Sequence, residues 1–229
     1  MAVRNDEKTQ MVTRASKILL VAGIALLYTL VVFNNLTDFD SNYQFVKHVL
    51  SMDTTFPGNH GRWRAISWPS AHLAFYIGII GWEIATAVLL WWGVLRMLYV
   101  RVQSSARFHR SKGMAVVGLI LSMLMFLVAF LSIGGEWFLM WQSHTWNGKE
   151  AAFRMFTVAG IVLIYLMQPD FFPNEGKKAI AERADDEGTG LFGAFSPPGE
   201  EDVAAGPLRI LGDKEHSPRP EKSGDGIGD

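Results

Sequence analysis

Glu83 is the side chain whose position could support chemistry, because it interrupts the apolar run from Ala71 to Leu95. At 1.5 Å per residue it lies about 18 Å from the far end of that run. A charged carboxylate at such depth in a membrane costs several kcal/mol, so Glu83 is expected to face other helices. Two interpretations are open: a proton- or ligand-binding site, or a neutral acid that hydrogen-bonds helices together.

Three hydroxyl residues are expected at a similar depth in other apolar runs: Tyr28, Thr29 and Thr157. Together with Glu83 they predict a polar site at the midplane of the membrane. Because the sequence offers no basic residue at that depth, Glu83 is expected to be protonated near neutral pH.

Glu136 and Arg154 both fall near the outer ends of apolar runs. We predict an ion pair between them that closes the outer side of the protein. In the alternative interpretation, Arg154 extends its side chain to the lipid headgroups.

Aromatic and imidazole side chains are concentrated in the segments between the apolar runs. A candidate outer binding surface consists of His48, His72, Trp137, Trp141, His144 and Trp146. These residues could also form an aromatic belt at headgroup level, and the histidines could ligate haem or a metal. Since the chain has no cysteine and no HxxxH or HExxH spacing, we predict no metal and no cofactor.

Motifs that carry enzymatic chemistry are absent from the sequence. We find no phosphate-binding loop, no Ser-His-Asp set and no dinucleotide fingerprint. We therefore predict no catalytic residues and a protein that is not an enzyme. The basic segment 96–113 is better explained by membrane topology and anionic lipid than by nucleic acid.

Four apolar runs are long enough to cross a bilayer, which requires about 20 residues. The predicted spans are about 15–34, 70–95, 114–135 and 151–167. They predict an all-α membrane protein, a four-transmembrane-helix bundle occupying residues 1–168. In the first outer loop, Phe45, Val46, Val49 and Leu50 share one helical face, which predicts a short interfacial helix.

The distribution of basic residues predicts the orientation. Residues 96–113 contain four arginines, one lysine and no acid, and four further basic residues precede the first span. The positive-inside rule therefore places both chain ends in the cytoplasm. Residues 169–229 contain 14 acidic and 7 basic residues and 7 of the 9 prolines, which predicts a largely disordered, acidic cytoplasmic tail.

Three strings in the outer segments resemble a known family. They are 34–38 (NNLTD), 45–55 (FVKHVLSMDTT) and 134–143 (GGEWFLMWQS) followed by WNG at 146–148. From about residue 15 to 168 the chain resembles the bacterial predicted small integral membrane proteins called domain of unknown function 2165. This resemblance implies a four-span protein of the inner membrane and brings no assigned activity.

These observations leave three functional hypotheses open. The first is a non-enzymatic accessory or interaction component whose partners are the lipid bilayer and other membrane protein subunits. The second is a small proton-linked transporter that uses Glu83. The third is an electron-transfer subunit that binds haem or a metal between the outer histidines.

Overall fold

The computed structural model describes residues 2–170, with side chains from Lys8 onward, and every regular element in this part of the chain is helical. The elements are α1 (Ala2–Thr37), α2 (Phe39–Ser51), α3 (Pro69–Tyr99), α4 (Ser105–Ser111), α5 (Gly113–Leu124) and α6 (Lys149–Met167). A π-helical segment, Met125–Trp137, continues α5, and two 3₁₀ turns lie at His60–Arg64 and Met140–Gln142. The predicted disordered tail spans 169–229, and its residues from 171 onward lie outside the described residues; of the two that are described, Asp170 is buried.

Four helical segments are long and apolar enough to cross a membrane, which confirms the predicted all-α fold with four spans. They are Lys8–Thr37, Pro69–Tyr99, Ser105–Trp137 and Lys149–Met167. Each contains the corresponding predicted span, and all extend beyond it at one or both ends. The helices continue past the apolar runs because backbone hydrogen bonding does not require apolar side chains.

The long helices pack in sequence around a common core: α1 against α3, α3 against α5, α5 against α6, and α6 against α1. Val21, Leu90 and Leu119 in this core have no solvent-exposed surface. Helices in lipid gain little from the hydrophobic effect, so close van der Waals packing must hold them together.

Gly93 allows α3 and α5 to approach closely. A Cβ atom at this position would lie 2.5 Å from the backbone nitrogen of Ala115 on α5. One turn away, a Cβ at Gly118 would lie 2.8 Å from the Leu90 side chain. Small residues at both positions therefore set the distance between these helices.

Helix α2 lies across one end of the helices, which we call the aromatic end (residues 34–68 and 134–150). It buries Val46, Val49 and Leu50 in a second apolar cluster that includes Phe138 and Met140. The predicted helix in the first outer loop is therefore present, and its predicted apolar face is the face that packs. This packing makes α2 a cover over one end of the core.

The opposite end, which we call the basic end (residues 8–17, 96–113 and 168–170), is held together by buried charges. The Lys17 Nζ atom donates to Asp170 Oδ1 at 2.7 Å, and Lys112 forms an ion pair with Asp170 Oδ2. Arg14 donates from Nη1 to the carbonyl oxygens of Arg101 and Gln103 at 2.8 and 2.6 Å. Because charges inside a protein need partners, these contacts attach α1, α5 and the chain after α6 to one another.

Candidate functional site at Glu83

Glu83 is buried in α3 and is bonded to α1. Its Oε2 accepts a hydrogen bond from Asn35 Nδ2 at 2.5 Å, and both residues are buried. Side chains lean toward the N-terminus of their own helix. Since α3 starts at the aromatic end and α1 ends there, the two side chains lean toward each other from different levels.

Tyr76 extends this polar contact by one further group. Its hydroxyl lies 3.3 Å from the backbone oxygen of Asn35 and donates to it, and its side chain is 2% exposed. The ring of Tyr76 packs edge-on against Phe39 with centroids 4.7 Å apart. The last turn of α1, the start of α2 and the middle of α3 are thereby joined around Asn35.

Glu83, Asn35 and Tyr76 line a partly open cavity of about 350 Å³. Its remaining wall is mainly apolar and comes from α1, α2, α3, the π-helical segment and α6; examples are Val31, Phe45, Phe126, Phe130 and Ala152. Pockets for small ligands occupy about 300–1,000 Å³ and combine apolar walls with a few polar groups. The cavity at Glu83 has that size and composition.

The second carboxyl oxygen of Glu83, Oε1, has no hydrogen-bond partner within residues 8–170. It is also not among the side-chain oxygens of this part of the chain that are fully enclosed without a partner. When the carboxyl group is ionised, an oxygen in this position can accept a hydrogen bond from a molecule in the cavity. A hydroxyl, amide or ammonium group on an otherwise apolar molecule would suit it.

The predicted midplane site of Glu83 with Tyr28, Thr29 and Thr157 does not form as expected, because each hydroxyl has another partner. Tyr28 donates to Ser122 Oγ at 2.8 Å, and Thr29 donates to the Ala25 carbonyl at 2.8 Å. Thr157 likewise donates to the carbonyl of Phe153, four residues earlier. A threonine in a helix can satisfy its hydroxyl within its own helix, so it does not need Glu83.

The predicted ion pair between Glu136 and Arg154 is replaced by a different pair. Glu136 Oε1 lies 2.7 Å from Lys149 Nζ, whereas the guanidinium of Arg154 lies 4.0 Å from Glu150. Lys149 is the first residue of α6, and Arg154 is five residues on, about 140° around the helix. Glu136 therefore pairs with Lys149, because Lys149 lies on the side of α6 that faces Glu136.

The predicted outer histidines do not converge on one site. His48 Nδ1 lies 2.7 Å from Asp53 Oδ2, and its ring stacks on Trp146 with centroids 4.9 Å apart. His72 is buried, with Nε2 2.7 Å from the Ile66 carbonyl oxygen, and so is not part of a surface. His144 is exposed near Phe56. Among the described residues, no three His, Asp or Glu side chains form a group that could hold a metal ion.

Two of the three predicted outer tryptophans, Trp137 and Trp141, are exposed, whereas Trp146 is partly buried against the second apolar cluster. Trp137 is half exposed and meets Trp63, which is 78% exposed, edge to face at 6.0 Å. The guanidinium of Arg64 lies 5.4 Å from the centre of the Trp137 ring. Trp141 packs edge-on against Phe56. The indoles are therefore ordered by contacts with one another and remain accessible.

Asn35 and Tyr76 are functional candidates that the sequence analysis did not identify. Asn35 lies just past the predicted end of the first span, where a polar residue is expected at the membrane surface. Helical spacing could have identified Asn35. It lies seven residues, about two turns, after Tyr28, so the two side chains share one inward-facing side of α1. The same spacing relates Tyr76 to Glu83 on α3.

We predict that Asn35→Leu destabilises the protein by about 1–3 kcal/mol, because it removes the donor to Glu83 while keeping a side chain of similar size. The measurement is the thermal midpoint of the purified protein in detergent. Asn34→Leu is the matched control: Asn34 is the neighbouring residue and is exposed, so its replacement should change stability by less than about 0.5 kcal/mol. Equal effects of the two substitutions would contradict the buried contact.

Comparison with known proteins places the chain in a family. No curated protein and no solved structure matches the chain significantly. One family model matches residues 13–169, which include all four long apolar segments except residues 8–12 at the start of the first. The chain therefore belongs to the family described as predicted small integral membrane protein (DUF2165).

Proposed function

We propose that this integral membrane protein is not an enzyme and that it binds a small, largely apolar molecule bearing a hydrogen-bond donor in the cavity at Glu83. The observation that carries the proposal is that Glu83 lines a 350 Å³ cavity while its Oε1 atom has no partner within residues 8–170. Asn35 supports it because it holds the carboxyl group in one orientation and is itself bonded to Tyr76. A group that is already oriented loses less entropy when a ligand binds.

We expect Glu83→Gln to weaken ligand binding about tenfold or more. Gln can still accept from Asn35 through its oxygen, but its NH₂ group would then face the ligand's donor, so one hydrogen bond is lost. Candidate ligands come from mass spectrometry of molecules that purify with the protein, together with a panel of long-chain alcohols and amines. Binding is measured by thermal stabilisation of the purified protein.

Tyr28→Phe is the control for this experiment, because it removes a buried hydroxyl bonded to Ser122 and Tyr28 is not among the cavity residues. It should lower stability without changing ligand affinity. Equal affinity in wild type and Glu83→Gln would refute the proposal. Proton flux in liposomes that is lost in Glu83→Gln would favour the proton-linked transporter instead.

The membrane and the orientation are also proposed here. We propose the bacterial inner membrane with both chain ends in the cytoplasm, because segment 96–113 has five basic residues and no acid. The cysteine-free chain permits single-cysteine labelling. On spheroplasts, an impermeant maleimide should label His60→Cys but not Val102→Cys, and both should react after permeabilisation. Labelling of Val102→Cys but not His60→Cys would show that both chain ends lie outside the cytoplasm and would contradict this orientation.

The exposed tryptophans support a second candidate function, an accessory component that contacts another membrane protein. Trp63, Trp137 and Arg64 form an ordered, accessible cluster, and Trp and Arg are the residues most enriched in the energetic centres of interfaces. An aromatic belt would place the same indoles against lipid headgroups.

In-cell photocross-linking separates these two roles of the tryptophans. A photoreactive residue at position 63 or 137 should give one discrete protein adduct, whereas the same residue at Tyr99, at the basic end, should not. Lipid adducts alone at positions 63 and 137 would support the aromatic belt and contradict the accessory role.

A further inference from the structure

A groove at the basic end contains three arginines and is unrelated to the Glu83 cavity. It lies between the last turns of α3 and helix α4 and has a volume of about 710 Å³. Arg96, Arg107 and Arg110 provide its charge, and Trp92, Leu95 and Tyr99 provide much of its apolar surface. The groove is open to its surroundings, and all six of these side chains are exposed.

The arginines of the groove differ from the buried cations at this end, Arg14, Lys17 and Lys112, in having few protein partners. The side chains of Arg96 and Arg110 make no hydrogen bond or ion pair with any residue from 8 to 170, and the side chain of Arg107 makes one hydrogen bond, to Gln103 Oε1 at 3.1 Å. By contrast, Lys17 and Lys112 share the carboxylate of Asp170. The segment 96–113 has no acidic residue to neutralise the groove.

The chemistry of the groove matches a phosphate ester attached to an apolar group. Guanidinium groups bind phosphate oxygens through paired, charge-assisted hydrogen bonds, which ammonium groups cannot reproduce. The apolar residues Trp92 and Leu95 lie on the part of α3 that belongs to a membrane-spanning segment. Trp and Tyr side chains favour the headgroup level, where apolar chains and phosphates meet.

We propose that this groove binds the phosphate of an anionic phospholipid headgroup, with the arginines on the phosphate and the apolar wall along the glycerol and upper acyl chain. A general attraction between a basic loop and an anionic membrane depends on charge alone. Binding at a specific site depends in addition on the three arginines that form the site and on the geometry of their guanidinium groups. These two dependences can be separated by substitution.

The test measures lipid binding to the full-length protein in detergent by native mass spectrometry. The probes are dioleoyl phosphatidylglycerol, dioleoyl phosphatidylcholine and glycerol 3-phosphate. Wild type should bind the phosphatidylglycerol about tenfold or more tightly than the phosphatidylcholine. Arg96→Gln/Arg107→Gln/Arg110→Gln should abolish this preference, and the corresponding triple Lys variant should reduce it several-fold although its charge is unchanged.

The matched control removes the same charge elsewhere, with Lys8→Gln, Arg62→Gln and Arg101→Gln, all at exposed positions. The control should keep the wild-type preference. If it loses the preference as fully as the groove variant does, or if the Lys variant binds like wild type, the binding is diffuse electrostatics and the proposal fails. Competition by glycerol 3-phosphate at concentrations similar to those of the lipid would assign a soluble phosphate compound and overturn the lipid assignment.

Discussion

The need to give every buried polar group a partner is the constraint on which the arrangement of the helices depends. Burial of apolar surface does not by itself fix the register of helices in lipid, because lipid tails are as apolar as leucine. The contact between Glu83 and Asn35 fixes α3 against α1, and the shared carboxylate of Asp170 fixes Lys17 against Lys112. Polar contacts near both ends therefore select one register from many that apolar packing would allow.

The four spans and helix α2 could be predicted because both follow from local composition. A run such as 114–133 has no charge over the length of a bilayer, and no other environment would accommodate it as well. The apolar face of α2 was similarly visible as a helical repeat of Val46, Val49 and Leu50. The ends of the spans were less predictable. Helix α1 already includes Lys8 and Arg14, which precede the start of the apolar run.

The site could be predicted only in part, because depth counted along a helix axis does not include the direction of the side chain. Glu83 was correctly predicted to face other helices, but the hydroxyls at its own level, Tyr28 and Thr29, have other partners. Asn35 reaches it because side chains lean toward the N-terminus of their own helix, and Asn35 lies nearer the aromatic end than Glu83 on an antiparallel helix. The pairing of Glu136 with Lys149 also depends on helix rotation, which composition alone does not determine.

The partners of Glu83 also bear on whether its role is structural or functional. A carboxyl group that serves only to hold helices together is best placed with both oxygens bonded, because an unsatisfied polar atom away from water destabilises the fold. In the described part of the chain, Glu83 is bonded to Asn35 through one oxygen and lines a cavity without a partner for the other. The arrangement therefore leaves one acceptor available where a molecule of moderate size can reach it, and this favours a binding role for Glu83 in addition to its contact with α1.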